Sequence, residues 1–216
     1  MKKSIITIAA SFFILCALSV TVQAQVNKDL PRLGIKGGVN FSSLYTQDSY
    51  DTKMLTGFNI GLFSKVPITR HIAIQPEFMF TTKGAEVTYN NTFVDGIARF
   101  KLNYLELPLL LSINLTDNFN IHAGPYVAYL ISGKVNNESN VNVFDFEENI
   151  NSDDFNRFDA GIAVGAGVDV GSLGLGVRYT YGLSTVGKEK SFLGTTYTFP
   201  DAKNGVLNFY VALAIN

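Results

Sequence analysis

Most of the chain alternates between apolar residues and small or polar residues, with the period of two that is typical of β-strands. From Phe158 to Val170, for example, every second residue is apolar, and the residues between them are glycine, alanine or aspartate. Eight such stretches follow one another from Leu33 onward, and no charged residue lies on their apolar faces. The pattern predicts eight strands and excludes a helical membrane protein, which would need long apolar runs.

The connections between these strands alternate strictly between long and short. The long polar segments are residues 42–56, 83–98, 133–156 and 185–203, and the short turns lie near 68–70, 116–118 and 171–172. An up-and-down arrangement then places every long loop at one end and both termini at the other, as in outer-membrane barrels. We therefore expect an all-β fold, an eight-stranded antiparallel up-and-down transmembrane β-barrel. Its four long loops would be extracellular and both termini periplasmic.

The composition agrees with a surface that faces hydrocarbon. Charged residues make up 16% of the sequence, against about 25% in soluble domains. The formal net charge of −1 gives no reason to expect nucleic-acid binding. The one cysteine, Cys16, excludes an intramolecular disulfide and a cysteine-based zinc site. A soluble lipid-binding barrel is a further possible class of protein. Such a barrel would have to be stable without detergent.

The N-terminus has the features of an export signal. Two lysines precede an apolar stretch that ends near Val20, and small residues flank the expected cleavage point after Ala24. We expect residues 1–24 to be a cleaved signal peptide and residues 25–216 to form one outer-membrane β-barrel domain. The alternative is an uncleaved membrane anchor.

Aromatic residues recur near the long-loop end of seven strands. They are Phe41, Phe58, Phe80, Phe100, Tyr129, Phe158 and Tyr181. Such a girdle is typical of a membrane interface. Phe100 is out of phase with the apolar face from Leu105 to Ile113, which predicts a bulge or a shifted register in the fourth strand. Pro76, Pro108 and Pro125 also fall within strands, where we expect bulges because proline lacks an N–H.

Eight strands enclose room for side chains or at most a narrow passage. The inward positions near mid-height are Glu77, Glu106 and Arg178, with Tyr104, Tyr126 and Tyr210 close by. We expect a buried charge network that fills the lumen; the alternative is a small-solute porin or a gated, even proton-conducting, channel with a polar lumen. A second set should form a solvated rim at the short-turn end: Lys36, Lys65, His71, His122 and Asp169.

The sequence contains no nucleophile with a flanking base and no phosphate-binding glycine loop, so we expect no enzymatic activity and no cofactor. The third long loop is acidic at Asp145, Glu147, Glu148, Asp153 and Asp154. This spacing matches no ion-binding motif, which favours a solvated loop over a metal site. The same loop carries candidate recognition residues, which could instead pack on the barrel: Phe144, Phe146 and Phe155.

Four segments carry a resemblance to a known family. They are LGIKGGVN at 33–40, IQPEF at 74–78, YLELPLL at 104–110 and AGPY at 123–126. With the eight strands, they make the chain similar to the porin-family outer-membrane β-barrel domain that includes PorT-like proteins, from about Leu33 to the C-terminus. The family ordinarily implies an eight-stranded barrel in the Gram-negative outer membrane and no assigned activity. The C-terminal residue departs from the pattern, because such barrels commonly end in Phe and this chain ends in Asn216.

These expectations leave two function classes open: a structural or interaction barrel, and a small-solute porin. The expected partners of either class are outer-membrane lipid and the outer-membrane assembly machinery. A surface or secretion-system partner for the loops stays an open hypothesis.

Overall fold

The computed structural model describes residues 30–45, 52–91, 94–139, 146–149, 156–185, 190–192, 195–197 and 203–215. The strands are β1 (Arg32–Tyr45), β2 (Thr52–Pro67), β3 (Ile72–Asn91), β4 (Val94–Asn114), β5 (Phe119–Ser139), β6 (Phe146–Asn149), β7 (Phe158–Val170), β8 (Leu173–Thr185), β9 (Lys190–Phe192), β10 (Thr195–Tyr197) and β11 (Lys203–Ala214). No helix in these ranges is long and apolar enough to cross a bilayer.

Eight of the strands close into an antiparallel barrel, in the order β1, β2, β3, β4, β5, β7, β8, β11. β11 pairs with β1 and completes the ring. The predicted eight-stranded antiparallel barrel is therefore confirmed. The short strand β6 adds to β5 beyond the point where β7 begins, and β9 pairs with β10 in a separate hairpin.

The three short turns, 68–71, 115–118 and 171–172, lie where the sequence predicts them. The long connections are shorter than predicted, because β3, β4 and β5 continue for 20, 21 and 21 residues. A tilted strand needs only about 9–11 residues to cross a membrane. These strands are therefore longer than a bilayer crossing requires, and their far ends lack the apolar alternation that marks a strand in the sequence.

Side chains alternate between the outside and the inside as the pleat requires. On β8, Leu173, Leu175 and Leu183 are exposed on the outer wall, whereas Arg178 and Thr180 are buried in the interior. The outer wall is apolar because it faces hydrocarbon.

Of the two alternatives predicted for the fourth strand, the shifted register is found, because the pairing of β4 with β5 shifts between Asn103 and Tyr104. A bulge in β4 itself is not. The pairing of β3 with β4 keeps one register from Ile72 to Asn91, so Phe100 shares the inward side of Leu102 and Tyr104. The irregularity lies in β5, where Ile131 has no partner on β4. Phe100 lies in the part of β4 that continues beyond the membrane.

The three strand prolines cause no register shift. Pro76 pairs with Leu109, Pro108 with Tyr126, and Pro125 with Ile162, each in the register of the surrounding ladder. The expectation of bulges at these prolines is therefore wrong.

Candidate functional site: the barrel interior

Glu77 on β3 is the centre of a charge cluster in the half of the barrel nearer the short turns. Its carboxylate is 1% exposed and accepts two hydrogen bonds from the Arg178 guanidinium, at 2.7 Å on Oε2 and 2.8 Å on Oε1. Lys36 Nζ and Gln75 Nε2 also donate to Oε1, at 2.8 and 2.6 Å. The Arg178–Glu77 pair is bidentate, which is the strong form of a charge-assisted hydrogen-bonded pair. We call Lys36, Glu77 and Arg178, with Gln75, His122 and Tyr210 around them, the lower cluster.

The Tyr210 ring on β11 packs against both cations of the lower cluster. Lys36 Nζ lies 3.7 Å and Arg178 Cζ 5.5 Å from the ring centroid. Gly176 makes room for the ring, since a Cβ at that position would lie 2.4 Å from Tyr210 Oη. A cation over an aromatic face is stabilised further when water is excluded.

The expectation of a solvated rim is wrong for two of its five residues. Lys36 and His122 are each 3% exposed, and Arg178 Nε donates to His122 Nε2 at 3.4 Å. Counting residues from a strand end ignores the tilt of barrel strands and the reach of a lysine stem. Lys65 and Asp169 do lie at the mouth, as a partly exposed ion pair of 3.0 Å.

His71 is exposed in the first short turn.

Lys83 on β3 is the centre of a second cluster, nearer the long-loop end. Its ammonium group lies 2.6 Å from Glu106 Oε2 and 3.2 Å from Asp159 Oδ2. Tyr126 and Asn204 donate to the same oxygen of Asp159, at 3.2 and 3.0 Å. We call Lys83, Glu106 and Asp159, with Tyr104, Tyr126 and Asn204 around them, the upper cluster.

A layer of amide side chains separates the two clusters. Asn59 Nδ2 and Asn208 Nδ2 donate to Asn40 Oδ1 at 2.7 and 2.9 Å, and Asn40 Nδ2 donates to Thr81 Oγ1 at 2.9 Å. A void of about 20 Å³ lies beside this layer, and one of about 30 Å³ lies at the short-turn mouth. Cavities of this size hold one or two water molecules.

Apolar side chains pack at the level of the upper cluster. Leu102 and Ala85 are fully buried, and Leu130 and Ala128 are nearly so. Leu102, Ala128 and Leu130 form one apolar group with Tyr104 and Tyr126. The charged groups of the two clusters also balance. The lower cluster carries two cations and one carboxylate, and the upper cluster carries one cation and two carboxylates. In the part of the barrel that the structure describes, side chains thus fill the interior in two ion clusters, of which the upper has apolar neighbours, with an amide layer between them.

The six lumen residues chosen from the sequence lie in the interior, but in two clusters rather than one. Glu77, Arg178 and Tyr210 belong to the lower cluster, whereas the others belong to the upper cluster: Glu106, Tyr104 and Tyr126. The sequence interpretation missed Lys83, because it assigned that residue to a loop, and Asp159 as a partner. The alternation from Glu77 through Thr81 would have placed Lys83 on the inward face.

Six of the seven girdle aromatics lie on outward positions of the barrel strands, and Phe100 does not. Phe58 packs against Phe80 with ring centroids 5.7 Å apart, and Tyr129 packs against Phe158 at 5.2 Å.

The loop residues are largely outside the described part of the chain. Phe144, Phe155, Asp145, Asp153 and Asp154 all lie outside it. Phe146, Glu147 and Glu148 are on β6, where only the backbone is described. Among the residues that the structure describes, no group of three or more His, Cys, Asp or Glu side chains could hold a metal ion.

A family model described as outer membrane protein beta-barrel domain matches residues 23–187. The chain matches no curated protein sequence.

Among solved structures, it is similar to Neisserial surface protein A (NspA), at 12% identity over 84% of this chain and 96% of that one, with a TM-score of 0.48. It is also similar to the attachment invasion locus protein Ail of Yersinia pestis (10% identity, 85% and 98% covered, TM-score 0.44) and to OprG of Pseudomonas aeruginosa (14%, 86% and 94%, 0.39).

Proposed function

Because the chain belongs to the outer membrane protein beta-barrel domain family, we propose that it is a closed structural or interaction barrel of the outer membrane rather than an open pore. The observation that carries the proposal is the lower cluster, in which Arg178 on β8 and Lys36 on β1 both bond to Glu77 on β3. These contacts run across the lumen between strands that are not neighbours, and the voids beside them in the described part of the barrel measure about 20 and 30 Å³.

The finer assignments are also proposals. We infer cleavage of a signal peptide after Ala24, periplasmic termini, extracellular long loops and membership of the PorT-like group. The support is the N-terminal sequence, the strict alternation of long and short connections, and the four segments that resemble that group. We further propose that the barrel is not an enzyme, that the assembly machinery inserts it, and that its loops contact a surface or secretion-system partner.

A liposome-swelling assay tests the closed barrel. Protein refolded into phosphatidylcholine liposomes is diluted into isotonic solutions of sugars and amino acids of increasing size, with a general porin as the positive control. We expect no solute-dependent swelling. Swelling that falls with solute size would contradict the proposal and support a small-solute porin.

A gated channel is the second candidate, because water-sized voids lie beside the amide layer and at the short-turn mouth. The two ion clusters and the amide layer between them would have to rearrange to join these voids into a path. Swelling that appears only at low pH or under a change of salt would favour this candidate.

A further inference from the structure

A small void at the short-turn mouth of the barrel has a lining rich in cations. The void measures about 30 Å³. Arg32, Lys36 and Lys65 line it, and Asp169 is the one carboxylate of the lining. Three cations against one carboxylate leave an excess of two positive charges around a space that admits water-sized groups.

Lys36 supplies the buried part of this excess. The bidentate bond from Arg178 already matches the charge of Glu77, so the Lys36 ammonium is the surplus cation of the lower cluster. The surplus carboxylate of the interior belongs to the upper cluster, on the other side of the amide layer. Because the interior cannot solvate a charge as water does, a buried surplus cation favours a counter-ion close to it. The void lies beside Lys36 at the mouth, where an ion from solution can enter.

Arg32 and Lys36 have N–H donors that the described part of the chain leaves without a partner. Lys36 Nζ has three donors; it bonds to Glu77 Oε1 at 2.8 Å, and it lies 3.7 Å from the Tyr210 ring centroid. Arg32 has five donors, and among the described residues its guanidinium makes one long hydrogen bond, from Nη1 to Gly171 O at 3.4 Å. Donors from two cations around one space are the groups that bind an anion.

The ion pair at the mouth limits the affinity of such a site. Lys65 Nζ and Asp169 Oδ2 are 3.0 Å apart and neutralise each other, and Asn120 Nδ2 donates to the same oxygen at 3.0 Å. The Asp169 carboxylate lines the void, so it repels an anion there. Removing this carboxylate would leave Lys65 as a further surplus cation.

We propose that this void binds chloride, with the Lys36 ammonium and the Arg32 guanidinium as its cations. A chloride ion is only slightly larger than the water molecules that fit a void of this size, whereas sulfate is too large to enter. Bound water would satisfy the donors but would leave the charge of Lys36 uncompensated. The site goes beyond the closed barrel proposed above and does not depend on it.

Chloride NMR of the protein in micelles of an uncharged detergent tests the site. Chloride that exchanges between solution and a protein site gives a broader resonance, and micelles without protein give the baseline. We expect the wild type to broaden the resonance, and we expect bromide to remove the broadening. Sodium sulfate at equal ionic strength should not remove it. Micelles have no two sides, so conduction through the barrel does not affect the readout.

Two substitutions at the mouth should change the chloride affinity in opposite directions. Asp169→Asn removes the repelling carboxylate and keeps a side-chain oxygen for Asn120. A unit charge about 4 Å from an ion contributes about a fivefold factor in water-like surroundings, so we expect the dissociation constant for chloride to fall about fivefold or more. Arg32→Gln should raise it, by up to about fivefold.

Lys36→Gln keeps a donor to Glu77 and removes the buried surplus charge, so the broadening should fall to the baseline. The matched control is Lys203→Gln, which removes one positive charge on β11 at the long-loop end and should leave the dissociation constant unchanged. Heat-modifiable gel migration checks that each variant folds. If Lys36→Gln does not fold, the opposite effects of the two mouth substitutions still test the site.

Any one of five results would overturn the proposal. They are broadening by the wild type no greater than the baseline, equal displacement by sulfate and bromide, broadening that persists in folded Lys36→Gln, an equal loss in Lys203→Gln, and a chloride affinity that Asp169→Asn lowers or leaves unchanged.

Discussion

A single carboxylate, that of Glu77, compensates two buried cations in this barrel. Arg178 and Lys36 both bond to it, and all three side chains are nearly inaccessible to solvent. A buried charge is tolerated only when its partner is present, because the interior cannot solvate it. Substitution of Glu77 or Lys83 should therefore destabilise the interior more than substitution of their partners, because each of these two side chains neutralises two opposite charges.

Glu77→Gln should destabilise the barrel strongly, because it keeps the shape of the side chain and leaves Lys36 and Arg178 without a counter-charge. We expect a loss of about 3–5 kcal/mol in the free energy of unfolding, measured by urea titration in lipid vesicles. The control is Lys65→Gln at the mouth, whose ion pair with Asp169 is partly exposed and should contribute less than about 1 kcal/mol. Equal stabilities of the two variants would contradict the account.

Lys83→Met should leave Glu106 and Asp159 in a water-poor interior without a cation. We expect it to destabilise the barrel, and we expect a further Glu106→Gln substitution to restore part of the loss, because Tyr126 and Asn204 still donate to Asp159. A double-mutant cycle of unfolding free energies measures this coupling. Additive effects of the two substitutions would show that the upper cluster does not act as a unit.

At the element scale, the strands accommodate large interior side chains by placing glycine beside them. A Cβ at Gly176 on β8 would lie 2.4 Å from Tyr210 Cζ, and one at Gly165 on β7 would lie 2.5 Å from His122 Nε2. These glycines let two rings lie flat against the wall, which brings Tyr210 beneath the cations of the lower cluster. The glycine-rich inner faces are thus part of the packing of the lumen.

Gly176→Ala should therefore reduce stability by about 1–3 kcal/mol through overpacking. Gly37→Ala on the outward face of β1 is the matched control, because the nearest atom to its Cβ is Asn59 O at 3.3 Å. Thermal loss of the heat-modifiable folded band in gels compares the two variants. If Gly176→Ala were as stable as Gly37→Ala, the packing of Tyr210 would not depend on the glycine.

The sequence predicts those elements whose two faces meet different environments. The strand number, the three short turns and the inward positions of Glu77, Glu106 and Arg178 all follow from alternation. Alternation does not predict the outer halves of β3, β4 and β5, because their sequences lack a regular apolar pattern. Lys83 is missed because it falls in a segment that the sequence pattern assigns to a loop, although it is buried and continues the inward row from Glu77. The division into two clusters depends on strand tilt and side-chain reach, which the one-dimensional pattern does not contain.

At the scale of the whole molecule, the barrel is apolar outside and filled inside. The two clusters together have three cations and three carboxylates, so the interior is neutral as a whole although neither cluster is neutral alone. Under the proposed function such a lumen seals the barrel, and the long-loop end and the outer wall are then the surfaces that meet other molecules.

Current through planar bilayers tests the closed lumen most directly, with wild-type protein and Arg178→Ala compared under the same voltage and salt. Arg178→Ala removes the guanidinium that bonds to Glu77, but the upper cluster and the apolar side chains around Leu102 remain in the lumen. We therefore expect no current steps from either protein. Ohmic steps from the wild type would contradict the closed lumen, and steps from Arg178→Ala alone would show that the lower cluster is the gate of a channel.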